Sequence, residues 1–265
     1  MAMPEGHTIH RLAHDLTRDL VGQRLNVTSP QGRFDPERIT ATVLREASAH
    51  GKHLFLRFER ATVHVHLGLF GKFRRSKNPA PAPRGALRMR LEGAAFTWDL
   101  RGPTACEALS PKALRALRGR LGADPLATDA DPSPAWVKTH ATRRSIGAVL
   151  LDQSVFAGIG NVYRAEILFL LGIHPDTPSN MLERATFDRL WELSKTLLAR
   201  GVKENRIVTR DGPKGVRLGR RDALHVYKRT SCLVCGARVA KLLVAARTLY
   251  ACETCQPRPM ETATG

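Results

Sequence analysis

Four of the five cysteines fall in two pairs, Cys232-x2-Cys235 and Cys252-x2-Cys255, with residues 236–251 between them. At this spacing two short knuckles can present four thiolates tetrahedrally to one Zn2+. No coordination position then stays open, so such an ion would hold structure and take no part in a reaction. Two disulfides or free thiols are the alternative. Cys106 has no cysteine near it and reads as a core residue. A second run with chemistry in it is QSVFAGIGNVYRAEILF, residues 153–169, where Gly158 and Gly160 make a tight turn before a helix beginning near Asn161. The backbone N–H groups of a helix start bind phosphate, Asn161 can add a side-chain donor, and Arg164 lies one turn along. The same glycines would equally serve close helix packing. Near the start, Pro4 precedes Glu5. Taken alone, a proline there is a helix starter and a first-turn glutamate answers the helix dipole. His7, His10 and His14 share one face of the following helix and read as a polar face, since no carboxylate accompanies them.

Helical spacing of Ile9, Leu12, Ala13, Leu16 and Leu20, with Gly22 as a stop, predicts the N-terminal helix. From Leu25 to Leu100 come short runs rich in β-branched and aromatic residues, at Ile39–Ala47, His53–Phe58, Thr62–Leu67, Leu87–Leu91 and Phe96–Leu100. Val63, Val65 and Leu67 alternate with His64 and His66, the period of a strand. Strands following one another without helices imply an antiparallel sandwich or barrel. Ser76–Gly85, which holds three prolines, reads as an exposed loop. The polar, proline-rich ATDADPSP marks a linker over residues 127–135, between an N-terminal domain (4–126) and a helical domain (136–224). Helices are expected at Ser145–Asp152, Asn161–Leu171 and Leu182–Arg200, and the cysteine module (225–257) closes an α+β chain.

The chain has 265 residues and a formal charge of +18, an excess that attracts polyanions and supplies salt-sensitive affinity for nucleic acid. Membrane-surface proteins and ribosomal components can be equally basic. Residues 201–250 hold 12 Lys and Arg against 3 Asp and Glu, half of the surplus, around the cysteine module. No apolar run approaches the roughly 18–20 residues that span a bilayer, and no secretory signal pattern opens the chain. The expectation is a soluble, cytoplasmic protein, at the nucleoid if prokaryotic.

PEGHTIHR from Pro4, GKHLF at Gly51–Phe55, AGIGNVYRAEILF, HVYKR before the first cysteine pair, and the four-cysteine spacing occur in register from Pro4 to Gln256. Together they resemble the formamidopyrimidine-DNA glycosylase/endonuclease VIII family of base-excision repair enzymes. The resemblance implies a catalytic N-terminal β-sandwich, a helix–two-turn–helix domain and a zinc finger holding one structural Zn2+. These would clamp damaged double-stranded DNA with one nucleotide flipped out, a task for which a monomer suffices. It implies a bifunctional glycosylase and abasic-site lyase that forms a Schiff base on an N-terminal proline and proceeds by β,δ-elimination. Pro4 matches the nucleophile, Glu5 the acid/base carboxylate and Lys52 the lysine of proton transfer. Arg247 matches the zinc-finger arginine that grips phosphate beside the lesion and assists δ-elimination, and Asn161 and Arg120 match phosphate ligands. The chemistry is sound, because an α-amino group titrating near 8 is neutral about a tenth of the time at pH 7, and a lysine near 10.4 well under a thousandth.

PEGHT is similar to the endonuclease VIII branch, and Arg101-Gly102-Pro103 lacks the aromatic that the guanine-lesion branch inserts opposite the flipped base. Leu69 and Phe70 in HLGLFG are the expected wedges, with ordinary core packing as the alternative. A branch relative carries a DNA-contacting glutamine at the position of Gly68, and that role does not carry over. Oxidised pyrimidines are therefore the favoured substrates, 8-oxoguanine or formamidopyrimidine the alternative, with the basic loop Asn205–Arg221 contributing to the lesion pocket. Pro4 is not residue 1. Translation from Met3 and its excision would free the proline nitrogen, whereas retained Met1-Ala2 would lock it in an amide and leave a non-catalytic, zinc-containing DNA-binding protein.

Overall fold

The computed structural model describes residues 4–259, so Met1-Ala2 lie outside the described residues. The chain forms two compact units that part between Arg120 and Leu121.

In the first unit, α1 (Gly6–Leu20) buries Ile9, Leu12, Ala13, Leu16 and Leu20, the helical stripe legible in the sequence. Eight strands follow: β1 (Arg24–Thr28), β2 (Thr42–His50), β3 (His53–Phe58), β4 (Thr62–His66), β5 (Lys72–Lys77), β6 (Leu87–Glu92), β7 (Phe96–Arg101) and β8 (Ala105–Leu109). A short helix, α2 (Pro111–Gly119), ends the unit. All strand pairs are antiparallel, in the order β5-β7-β6-β1-β2-β3-β4-β8. Leu54, Leu56, Val63 and Val65 from one side of β1 share a core with Met89, Leu91, Trp98 and Leu100 from the other, and α1 completes it. That is the packing of a sandwich. Asp19, buried near the end of α1, accepts hydrogen bonds from Arg75 Nε (2.5 Å), Arg18 Nε (3.0 Å) and Trp98 Nε1 (3.1 Å), tying β5 and β7 to the helix.

Three strands have no counterpart among the expected runs, the first of them β1, which joins the two halves of the sheet. β5, KFRRSK, is an edge strand with no buried residue, so it lacks apolar alternation and claims the start of the expected Ser76–Gly85 loop. β8 closes the opposite edge, where Cys106 is the buried position.

The second unit contains α3 (Ser133–His140), α4 (Ile146–Val149), α5 (Asn161–Leu170), α6 (Arg184–Glu204) and a hairpin of β9 (Ala240–Val244) and β10 (Arg247–Ala251). Phe156, Tyr163, Ile167, Phe187, Leu190, Trp191 and Leu198 from the helical part share one core with Val244, Leu249 and Ala251 from the hairpin. The helical and cysteine-bearing segments therefore pack as one body. The expected linker at 127–135 lies inside this unit: Gly122 N–H already donates to Gln153 O (2.8 Å), Ala123 pairs with Phe156, and α3 starts at Ser133. Prolines that read as a linker here serve as helix starters. α4 is a single turn, shorter than the expected Ser145–Asp152, because the chain turns at Asp152 toward the glycine loop.

Candidate active site

In the first unit, Pro4 is half-buried and Glu5 is 1% exposed at the N-terminal end of α1, where the helix amides favour a carboxylate. Gly22 N–H donates to Leu44 O and Thr17 Oγ1 to Ala47 O, so α1 runs antiparallel to β2 and its N-terminal half lies toward the β2–β3 tip. That tip is the two-residue turn Gly51-Lys52, closed by the His50–His53 pair. Gly51 adopts φ +56°, the left-handed value that a tight hairpin needs and glycine supplies at no steric cost. Lys52 thus rides on a rigid turn at the sheet end where α1 begins.

His53 pairs with His66 on β4, and the chain then turns through Leu67–Gly71 at the same end. Leu69 is 50% and Phe70 77% exposed, so neither is core. Gly68 has φ +62°, and a Cβ there would lie 1.8 Å from Thr104 Oγ1, so no side chain fits. The histidines around Lys52 form a chain. His64 Nδ1 lies 3.0 Å from Glu107 Oε1, and His64 Nε2 lies 2.9 Å from His53 Nδ1. An ionised carboxylate only accepts, so His64 Nδ1 is the donor to Glu107 and its Nε2 continues the chain to His53 Nδ1. Burial, then the nearby charges of His66, His64, His50 and Lys52, lowers His53 to about 3. Burial, then His64 and Lys52, lowers His66 as well. His7, buried beside Glu5, is lowered by burial to about 4. With His7 buried and His14 exposed, the helix histidines do not form a ligand cluster. Arg120 caps the C-terminal end of α2 and is exposed.

In the second unit, Gln153 braces the glycine loop: its Nε2 donates to Leu151 O and Ile159 O (both 2.9 Å), and Gly158 N–H donates to its Oε1 (3.1 Å). Gly158 has φ +103°, a value L side chains rarely adopt. Gly160 is the N-cap of α5, whose first residue is Asn161. Asn161 Nδ2 donates to Thr248 O (2.9 Å) and its Oδ1 accepts from Arg164 Nε (3.0 Å), so this amide also braces the hairpin. Arg247 is exposed at the start of β10, just past the turn residues Ala245 and Ala246, which have φ +52° and +57°. Left-handed conformation costs each alanine about 1 kcal/mol.

The sequence reading missed Glu166. It is fully buried and accepts from Thr209 Oγ1 (2.5 Å) and the N–H groups of His225 (2.7 Å), Val226 (2.9 Å) and Tyr227 (2.9 Å). Burial alone would raise its carboxyl, but the His225 side chain, whose Nδ1 lies 3.4 Å from Oε2, and these hydrogen bonds hold it below the ordinary range. The signal was a glutamate inside a largely apolar helix, which must find partners when buried.

Among the described residues, Cys232, Cys235, Cys252 and Cys255 are the group able to hold a metal ion, with all four sulfurs within 4.8 Å of one another. Cys232 and Cys255 sulfurs are 3.9 Å apart and those of Cys235 and Cys252 3.4 Å. Four thiolates at about 2.3 Å from a tetrahedral Zn2+ stand about 3.8 Å apart, so the set fits that ion. Gly236, with φ +77°, turns the first knuckle, and Val234 N–H donates to Cys232 Sγ (3.4 Å).

Residues 3–106 match the formamidopyrimidine-DNA glycosylase N-terminal domain, and residues 121–211 match the H2TH domain of that glycosylase. Endonuclease 8 1 of Mycobacterium tuberculosis is 42% identical over 267 residues, covering 96% of this chain and 100% of the relative. Formamidopyrimidine-DNA glycosylase of Bordetella petrii is 32% identical over 278 residues, covering 97% and 99%. The structure of Lactococcus lactis Fpg in complex with DNA containing an abasic site shares the fold, at TM-score 0.78 and 22% identity over 96% of this chain and 100% of that one. A sandwich with a leading helix, a helical domain of this type and a four-cysteine hairpin define a DNA glycosylase of the repair type. The chain belongs to the formamidopyrimidine-DNA glycosylase/endonuclease VIII family.

Proposed function

We propose that the protein is a bifunctional DNA glycosylase and abasic-site lyase that removes oxidised pyrimidines from double-stranded DNA. The reading rests on the placement of the Pro4-Glu5 start of α1 and the Gly51-Lys52 tip toward one end of the sheet of the first unit, where Leu69 and Phe70 are exposed. The amine of Pro4, as the free N-terminus, attacks C1′, and the bond from C1′ to the base breaks. Lys52 and Glu5 deliver the protons that the departing base and the opened ring oxygen require. The resulting iminium withdraws electrons, so the C2′ proton is lost and the 3′ phosphate leaves, followed by the 5′ phosphate. Arg247 and Asn161 on the second unit, and Arg120 at the end of the first, would hold phosphates. Leu69 and Phe70 would fill the space left by the flipped nucleotide.

Cys232, Cys235, Cys252 and Cys255 would hold one Zn2+, which supplies rigidity to the finger and no step of the reaction. The first unit is the catalytic domain in this reading and the second the DNA-binding one, and a monomer carries every group needed. Among the described residues no helix is long and apolar enough to cross a membrane, which suits action at the nucleoid. The endonuclease 8 relatives favour the pyrimidine branch over a preference for 8-oxoguanine. The test is borohydride trapping and nicking on duplexes carrying thymine glycol, dihydrouracil, 8-oxoguanine or an abasic site, with the N-terminus defined by intact mass. Trapping by protein with a free Pro4, its loss in Pro4→Gly, and preference for the pyrimidine lesions are expected. Preference for 8-oxoguanine opposite cytosine would overturn the branch, and trapping by protein retaining Met1-Ala2 would overturn Pro4 as nucleophile. Binding without any trapping would leave a zinc-containing DNA-binding protein.

A further inference from the structure

We propose that Arg164 is a positioning residue for Arg247: its guanidinium, buried in α5, holds the Ala245–Ala246 turn in the shape that presents Arg247 to DNA. The inference rests on the lyase reading above, in which Arg247 grips the phosphate beside the lesion.

Arg164 is fully buried. A guanidinium removed from water must have its donors met, and those of Arg164 reach three separate pieces of the second unit. Nε donates to Asn161 Oδ1 (3.0 Å), Nη1 to Gly147 O of α4 (2.9 Å), and Nη2 to Val244 O (3.2 Å) and Arg247 O (3.4 Å). The last two carbonyls flank the hairpin turn, since Val244 and Arg247 are register partners and Ala245-Ala246 is the loop between them. A two-residue turn with both central residues at positive φ is the type that asparagine and glycine form readily and alanine resists. This chain builds it from two alanines, at φ +52° and +57°. The turn sequence therefore does not dictate the turn, and the buried cation beneath it supplies what the sequence lacks. Asn161 extends the support by one residue, through Nδ2 to Thr248 O at 2.9 Å. Further from the turn the hairpin has its own anchors in Leu249 and Ala251, which are buried in the core. Losing Arg164 should therefore loosen the tip, where Arg247 sits, while the finger stays folded.

The test compares Arg164→Met, Arg164→Lys and Arg164→Met combined with Ala245→Asn and Ala246→Gly, all in the full-length, zinc-loaded protein. In Arg164→Met, affinity for a duplex carrying a tetrahydrofuran abasic analogue should fall about tenfold, the equivalent of one charged hydrogen-bond set. The ratio of δ- to β-elimination product should fall with it, zinc stoichiometry should hold, and amide exchange over residues 240–251 should accelerate. Adding the Asn-Gly turn should restore both the ratio and the exchange protection, which a general loss of packing in α5 would not permit. Arg164→Lys should lie between. An unchanged ratio and unchanged exchange in folded Arg164→Met, or no restoration by Asn-Gly, would overturn the proposal. If Arg164→Met fails to fold, Arg164→Lys with and without the Asn-Gly turn makes the same comparison. If the wild-type protein forms neither elimination product, the lyase reading fails, and exchange with its rescue still decides whether Arg164 holds the turn.

Discussion

Replacing Glu166 by glutamine keeps the shape of the side chain and changes what it can accept. In the native unit one oxygen accepts from Val226 N–H and Tyr227 N–H, and the other from His225 N–H and Thr209 Oγ1. Glutamine can keep its oxygen on the first pair and must then point its NH2 at the second. The Thr209 hydroxyl can rotate to accept, since it already has Ala223 O as an alternative acceptor at 3.2 Å. His225 N–H cannot, and a buried N–H facing another donor costs about 1–3 kcal/mol. The two remaining bonds lose their charge assistance, about 0.5–1 kcal/mol each. Glu166→Gln should therefore destabilise the second unit by about 2–5 kcal/mol, read by urea unfolding followed through Trp136 and Trp191 fluorescence. The sign with pH is fixed by the lowered carboxyl. A depressed carboxyl stabilises the fold above the unfolded value, near 4.3, and that contribution is lost as pH falls through the lower folded value. The gap between wild type and variant should accordingly narrow in acid. A loss below about 1 kcal/mol, or a gap that widens on acidification, would refute the assignment of Glu166 as the anchor of residues 225–227.

Partial burial and hydrogen bonds from Cys235, Cys252 and Cys232 raise the Cys255 thiol to about 12, so Zn2+ capture must release protons and weaken as pH falls. One zinc per chain by elemental analysis, with chelation abolishing DNA binding, is expected, and full binding by metal-free protein would contradict it. Leu69→Ala and Phe70→Ala should shift unfolding by less than about 0.5 kcal/mol, because both side chains are exposed. The same variants should bind an abasic duplex more weakly, and unchanged affinity would remove the wedge role.

Metal-ligand spacing survives reading from sequence because a knuckle is local: two cysteines three positions apart and a turn glycine define it before any tertiary contact forms. β3 and β4 were equally legible, since one face is apolar and the other carries the histidines. β5 was not, because an edge strand facing water needs no apolar alternation, and its arginines look like a solvated loop until Asp19 is seen to accept from Arg75. α3 hid behind prolines that suit a linker and a helix start alike. Residue types pointed to Asn161 and Arg247, while Glu166 and Arg164 act through backbone amides and carbonyls far away in sequence. The apolar run NVYRAEILFL did carry a warning, for an arginine and a glutamate two positions apart on a buried helix must both be satisfied.

The +18 charge and the chemistry sit on different footings. Charge that attracts a polyanion can lie on any exposed surface, and half of the surplus lies in residues 201–250 of the second unit. The amine proposed as nucleophile instead has to be uncharged, and several histidines of the first unit are held toward the neutral form. His7 is lowered to about 4 and His53 to about 3, and His66 is lowered by burial and by the charge of Lys52. Glu107, His64 and His53 form one hydrogen-bonded chain that ends beside the hairpin tip. Lys52 is thus a cation at the hairpin tip close to His53 and His66, both held toward the neutral form. In the proposed reaction the protons that move have Glu5 and Lys52 as carriers, since the lowering of His7, His53 and His66 makes these three imidazoles poor proton donors.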